Sequence, residues 1–430
     1  MADPTAREGG SRGPKTIMTN RAADRRSLWA QKWLPWAVAL FWVPFLTRAI
    51  HWSYEHGTVP IKPRDLTMLG LMVVALLTAL SRPRFSIFSY LWLVIPVLKI
   101  LDAGFLVRFE NNAITDHATF VLSLFSTLLL SLGMILPLAA PNWRQMVIPV
   151  CIGTIMVISA SILYEWLGFG NYTKIPGRMS GFPVDPNAGP ITICLALGIL
   201  FTVRPNFWQN IAIMGMAAPS VVLTLSRSGM AVFMFMGFVY AMMNLRRHLV
   251  GILLIGFIGL PMIGSGLMVL AASKAREGVV RNDNVTDRIQ AIFSLDFDRI
   301  SSPERGKDLA DGWEAVGKSP VFGYGTGSGN VHWQPHNMFV AIWLDMGLIG
   351  VLIYAFLLLL VTFRCVMKKG EGMFCLIPIW LYIPCSQTLF ETPMYLMAGA
   401  VVTCLLFEHR FSLSLFGVRR GTSHSVVATS

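Results

Sequence analysis

Four side chains in this sequence are of types that could act on a substrate: His336, Arg178, Arg227 and Arg305. An imidazole titrates near neutral pH and can take a proton from a hydroxyl. A guanidinium is always charged and grips phosphate oxygens in pairs. His336 and Asn337 stand at the head of an apolar run, "QPHNMFVAIWLDMGLIG" (334 to 350), that breaks at Gly347 and Gly350. Arg227 lies in "TLSRSGM", a very tight turn between two apolar runs; Arg178 lies in "GRMSGFPVDPN" and Arg305 in "SSPERGKDLADGWEAVGKSP". Each also has a purely structural reading: His336 as an interfacial helix cap, the arginines as side chains snorkelling to lipid headgroups. Gathered on one side of a membrane, they fit a phosphate-bearing substrate and a base.

A membrane is what must position them. The chain has 430 residues, 54% hydrophobic and only 13% charged, with a mean hydropathy of +0.59. Soluble domains carry about 25% charged residues. The expected fold class is therefore all-α, a polytopic membrane protein. About twelve apolar runs approach the roughly 20 residues a spanning helix needs. They fall near 33–50, 66–81, 86–106, 117–139, 145–168, 188–203, 207–224, 228–245, 249–272, 337–363, 373–389 and 393–409. Lys and Arg in alternate connections place both termini on the cytoplasmic side. The expected organisation is a disordered cytoplasmic tail at 1–32, about nine transmembrane helices over 33–272, a large outer loop at 273–335, about three more helices over 336–410, and a second cytoplasmic tail at 411–430. Within the loop a helix is expected near 303–317. Ser302 suits its N-cap and Pro303 its first position, and Arg305, Leu309 and Trp313 recur on one face that should lie on the membrane domain. "GYGTGSGN" (323 to 330) then reads as a flexible turn leading to His336.

The net charge of +12 does not point to nucleic acid, because the basic residues cluster in short segments between apolar runs. The six cysteines lie in or beside apolar runs and show neither a disulfide framework nor metal-ligand spacing. Lys99 and Asp102 are three apart and can pair across one helical turn. Asp345 lies inside the run after His336; an intramembrane acid can be functional, or can bond to backbone freed by the glycines. "DFD", Asp296 to Asp298, resembles a metal-binding acid pair but is a very weak signal. His51 with His56, and His332 with His336, have spacings that could supply half a metal site each; loop and interface histidines are the plainer reading.

The ordered motifs resemble a known family. His336 and Asn337, nine residues, Gly347, two residues and Gly350 closely resemble the signature of the O-antigen ligase (WaaL) family, within the superfamily shared with the O-antigen polymerase (Wzy). "SRSG" around Arg227 resembles its tight turn. "RMSGFPVDPNA", with Arg178, Gly181, Pro186 and Asn187, resembles a second element, and "ERGKDLADGWEAVGKSPVFGYGTGSG" the segment before the histidine. The likeness covers about residues 170 to 365. Asp345 departs from it, since a glutamate is more usual there.

The resemblance implies a GT-C-like glycosyltransferase of a Gram-negative inner membrane, working at its periplasmic face. The donor would be a glycan on undecaprenyl pyrophosphate and the acceptor a sugar hydroxyl of lipid A-core. Membrane lipids surround the site, contact with polysaccharide polymerase machinery is possible, and no nucleotide, metal or other cofactor is implied. His336 would be the base, Arg178, Arg227 and Arg305 the pyrophosphate ligands, with Asn337, Asp345, Gly347 and Gly350 in support. Asn337 would orient the imidazole or cap the helix, and the glycine break would bend the helix around a lipid groove. A polymerase using the same donor is the alternative; the short connection at 169–187 favours the ligase. A lipid or glycan transporter is remote, because no internal repeat is visible and the polar candidates gather at one surface.

Overall fold

The computed structural model describes residues 14–81, 83–85, 87–105, 117–173, 178–204, 206–249, 303–387, 389, 392–407 and 411–412. The run 249–272, Ser302 and the Asp296–Asp298 acids, apart from residue 249, lie outside them.

The described chain is helical almost throughout, with one two-residue antiparallel ladder pairing β1 (Arg84–Phe85) with β2 (Phe411–Ser412). The helices are α1 (Pro14–Leu46), α2 (Ala49–Glu55), α3 (Pro63–Leu80), α4 (Ile87–Tyr90), α5 (Val94–Phe105), α6 (His117–Ile135), α7 (Trp143–Trp166), α8 (Ala188–Val203) and α9 (Phe207–Leu223). They continue with α10 (Arg227–Leu249), α11 (Pro303–Lys318), α12 (Met338–Met367), α13 (Met373–Tyr382) and α14 (Pro393–Leu406). α8 and α14 form the centre. Nearly every residue of each is buried, which suits sequences apolar on all sides. α7, α13 and α14 pack on α8; α1 and α9 pack on α7, and α3 joins α1 to α6. α12 packs against α5, α11 and α14.

The described residues leave out most of the expected run 249–272 and so do not fix the number of spans, expected to be about twelve. Among the described residues five helices are long and apolar enough to cross a membrane, or six if α1 and α2, bent by 58° at Thr47 and Arg48, make one broken span. α8, α9, α13 and α14 are apolar but shorter, at 10–17 residues. The run 86–106 is interrupted: α4 gives way to a 3-10 turn at Leu91–Leu93 before α5 starts. Pro96 is the reason. It can donate no hydrogen bond to the Trp92 carbonyl, and its ring would clash with that oxygen in a continuous helix. An apolar count measures partition into lipid, and it says little about where a helix is broken.

The expected disordered tail also needs correction. Residues 14–32 are helical and continuous with the first apolar run. Between Pro14 and Pro35 this stretch contains no glycine or proline, and it is rich in Ala, Arg, Lys, Gln and Leu, which favour helix.

Candidate functional site

α12 supplies the frame of the site. Asn337 is its N-cap: the side-chain oxygen accepts from the amides of Phe339 (3.0 Å) and Val340 (3.3 Å). Asn337 therefore caps the helix through its side-chain oxygen. His336, the residue before it, has a left-handed φ of 49°. Its amide donates to Gln387 Oε1 at 2.7 Å, and the next amide but one, Met338, donates to the Ile383 carbonyl. The histidine backbone is thus pinned to the connection between α13 and α14.

The imidazole is half-buried. Its Nε2 lies 3.9 Å from Asp308 Oδ2 on α11. Burial lowers the His336 pKa below its ordinary value and the nearby Arg305 guanidinium lowers it further, while Asp308 and Asp185 oppose the shift. The net shift favours the neutral ring, the form that can accept a proton. α11, the head of α12, the α13–α14 connection and the 178–187 segment therefore converge on one ring.

α11 forms at Pro303–Lys318, where a helix was expected. The packed face is different. Gly312, Ala315 and Val316 are buried and Leu309 is half-buried, meeting Val340 and Leu344 of α12, whereas Arg305 and Trp313 are exposed. Small residues let α11 approach closely, and Gly312 lies against Pro335, beside His336. Arg305 and Asp308, one turn apart, stay on the side of the imidazole.

The segment after α11 is not a flexible turn. Gly323, Gly325, Thr326, Gly327, Ser328 and Gly329 are all buried. Gly347 explains how. Its φ of 66° and ψ of −163° break the helix, and a Cβ there would overlap the Val321 carbonyl. The break releases backbone groups that the loop then takes up. Tyr324 N donates to Leu344 O (2.6 Å), Gly325 N to Asp345 O (3.0 Å), and Leu348 N to Pro320 O (3.0 Å). The glycine break thus receives a docked loop. Gly350 is buried in the next turn, crowded by Met346 and Ile342.

Asp345 faces the same loop and is 3% exposed. Its Oδ1 accepts from Gly329 N at 2.9 Å and its Oδ2 lies 3.5 Å from Lys99 Nζ on α5. Asp102 reaches the loop as well, accepting from Thr326 N (2.6 Å) and Thr326 Oγ1 (2.7 Å). The expected Lys99–Asp102 pair within one helix is replaced by two contacts across to the loop and α12. Burial of both side chains favours partners that can be reached without water.

Arg178 and Arg227 belong to a neighbouring unit. Arg178 is only 5% exposed; its Nε donates to the Thr224 carbonyl (2.9 Å) and its Nη2 to Asn187 Oδ1 (3.1 Å). The same Asn187 oxygen accepts from Ser226 Oγ at 3.0 Å. Arg227 follows at the head of α10 and is half-buried. Arg178 therefore fastens the 178–187 segment to the turn that presents Arg227. Asp185, in that segment, is the group whose charge reaches His336.

Glu165 was missed in the sequence. This 5% exposed carboxylate accepts from four backbone amides: Oε1 from Tyr172 (2.9 Å) and Thr173 (2.8 Å), Oε2 from Ser180 (2.7 Å) and Gly181 (2.9 Å). A lone acid near the end of an apolar run was the available signal. Gln387, Asp308 and Asp185 gave no such signal, since polar residues in connections are common. Among the remaining histidines, His56 stacks on Trp52 at 4.2 Å and His332 is exposed. Among the described residues no group of three or more His, Cys, Asp or Glu side chains is arranged to hold a metal ion.

No curated protein matches the chain. A family model does: the Wzy_C model, described as O-Antigen ligase, matches residues 211–355. The matched stretch includes Arg227, Arg305, His336, Asn337, Asp345, Gly347 and Gly350, and leaves Arg178, Glu165, Lys99 and Asp102 outside. Over this stretch, which carries the half-buried imidazole and the glycine break that receives its loop, the chain is similar to the O-antigen ligase family.

Proposed function

We propose that the protein is an O-antigen ligase. It transfers a glycan from undecaprenyl pyrophosphate to a sugar hydroxyl of lipid A-core at the periplasmic face of a Gram-negative inner membrane. The observation that carries this reading is the half-buried His336 ring, held with its Nε2 3.9 Å from Asp308 Oδ2 and with Arg305 close by.

The acceptor hydroxyl oxygen attacks the anomeric carbon of the donor sugar. Its proton passes to His336, and the bond from the anomeric carbon to the pyrophosphate oxygen breaks with its electron pair leaving on the pyrophosphate. Direct displacement inverts the anomeric centre. Charge gathering on the leaving group needs fixed cations, an effect that can contribute about 3–4 kcal/mol per donor. Arg305, exposed beside the ring, and Arg227, at the positive end of α10, take that role. Arg178 has an indirect share, because its guanidinium already serves Thr224 and Asn187. Asn337 holds the helix start, and Asp345 and Gly347 hold the loop behind the histidine.

Transfer by purified His336→Ala tests the base. Less than about 1% of the parent rate is expected for loss of a general base, and full activity sinks the assignment. Deleting the gene separates ligase from polymerase: a ligase leaves uncapped core and polymer on the carrier lipid, a polymerase leaves core bearing one repeat unit.

A further inference from the structure

We propose that Lys99 and Asp102 of α5 are positioning residues of the transfer reaction, acting as a two-pronged clamp on the loop that carries His336. The inference rests on the reading of His336 as the base, and it assigns α5 a part in that same site.

The chain of contacts is continuous. Asp102 holds Thr326 by its amide and its hydroxyl. Lys99 neutralises Asp345, which holds the amide of Gly329. Gly329 opens the short π-helical turn Gly329–Trp333, and its carbonyl accepts from Gln334 N at 2.8 Å. Gln334 has a φ of 43°, Pro335 is buried against Gly312, and His336 follows with a φ of 49°. Two left-handed residues around a proline leave little freedom between the clamp and the ring. The geometry of residues 326 and 329 is thereby passed to residue 336.

The charges agree with this role. A buried carboxylate is costly without a counter-charge, and Lys99 Nζ lies 3.5 Å from Asp345 Oδ2. Lys99 and Asp102 are three apart on one helix, so from one face Asp102 reaches the loop and Lys99 reaches Asp345, which bonds to it. Four residues of α12 and the loop accept this grip: Asp345, Gly329, Thr326 and, through its backbone, Gly325. Both α5 residues lie outside the stretch that matches the family model, so the earlier part of the chain contributes to the geometry of the matched part.

The test uses the full-length enzyme in nanodiscs with a lipid-linked glycan donor and a lipid A-core acceptor. Asp102→Ala, Asp102→Asn, Lys99→Met and Lys99→Arg are compared. Readouts are kcat, KM for donor, the pH profile of kcat, and amide hydrogen exchange across 325–334. A ring displaced by about 1 Å loses roughly 100-fold in rate. Asp102→Ala and Lys99→Met should lower kcat by roughly 10- to 100-fold with KM little changed, and the acid limb of the profile should move upward as the ring is wetted. Exchange across 325–334 should rise. Asp102→Asn and Lys99→Arg should recover most of kcat.

Faster exchange with an unchanged kcat per folded molecule and an unmoved acid limb would overturn the positioning role, as would unchanged exchange. Failure of the underlying reading looks different: His336→Ala would then be active whatever the α5 variants do.

Discussion

Asp345 Oδ1 of α12 accepts a hydrogen bond from the amide of Gly329 at 2.9 Å, sixteen residues earlier in the chain. This contact joins the membrane helix to the loop that delivers His336. It exists because Gly347 breaks the helix two residues later and opens a dock for the loop. Consequences follow for the ring, for the arginines and for the glycine itself.

The pH dependence of transfer should show an acid limb set by His336. Burial and Arg305 lower its pKa, with Asp308 and Asp185 opposing. Only the neutral ring accepts a proton, so activity should be full above this pKa and fall as pH drops through it, below the ordinary imidazole value. Arg305→Gln should move the limb up and Asp308→Asn should move it down. Rate–pH profiles check both directions, and a limb that ignores both changes would remove His336 from the profile.

Replacing arginine by lysine should separate two roles. At Arg227 and Arg305 the charge stays but the paired phosphate contacts go, so kcat should fall by roughly 10-fold or more with little change in melting temperature. At Arg178 lysine cannot serve both Thr224 and Asn187, so stability should fall along with activity. Thermal unfolding measured beside kcat tells the two patterns apart.

Gly347→Ala should be severely damaging. The backbone there is in a region essentially limited to glycine, costing about 1–3 kcal/mol for other residues, and the new methyl would also overlap the Val321 carbonyl. Loss of folded yield, or proteolysis newly opened near 320–325, would show it. A variant with the parent's yield, stability and activity would contradict the docking account.

Glu165→Gln should loosen the 171–181 segment. The amide group of glutamine would face two backbone donors, where a carboxylate oxygen now accepts. Each hydrogen bond to a charged group contributes about 1.5–3 kcal/mol, so a loss of about 3 kcal/mol or more is expected for two. Arg178 leaves this segment, so transfer should weaken too. Melting temperature and limited proteolysis at 171–181 are the measurements.

Asn337→Ala should cost about 1 kcal/mol through the lost cap, and Asn337→Ser should restore most of it. If serine restores stability but not activity, Asn337 has a role beyond capping.

The residue types of the candidate site could be read in the chain. A histidine before an apolar run, arginines in tight connections and two glycines within the run are local features, and local features survive in a linear text. The helix at 303–318 was likewise legible from its proline and its periodicity. What could not be read were relations between distant segments. Lys99 and Asp102 looked like partners because they lie one turn apart; the fold gives each a partner more than two hundred residues away. The glycine-rich stretch 323–329 looked mobile because glycine is permissive, yet it is buried and bonded. Glu165 could be seen as an isolated acid, but not as the acceptor of four amides.

The sequence by itself determined that the chain is helical and membrane-directed, and which residue types are available for proton transfer and phosphate binding. Hydropathy and side-chain chemistry are properties of single residues and short runs, so they need no knowledge of neighbours in space. Only the tertiary structure decided that Arg178 fastens a turn, that Asp345 anchors the loop, and that Asp308 and Arg305 flank the imidazole. These depend on distances between separate elements, which are set when buried polar groups must find partners away from water.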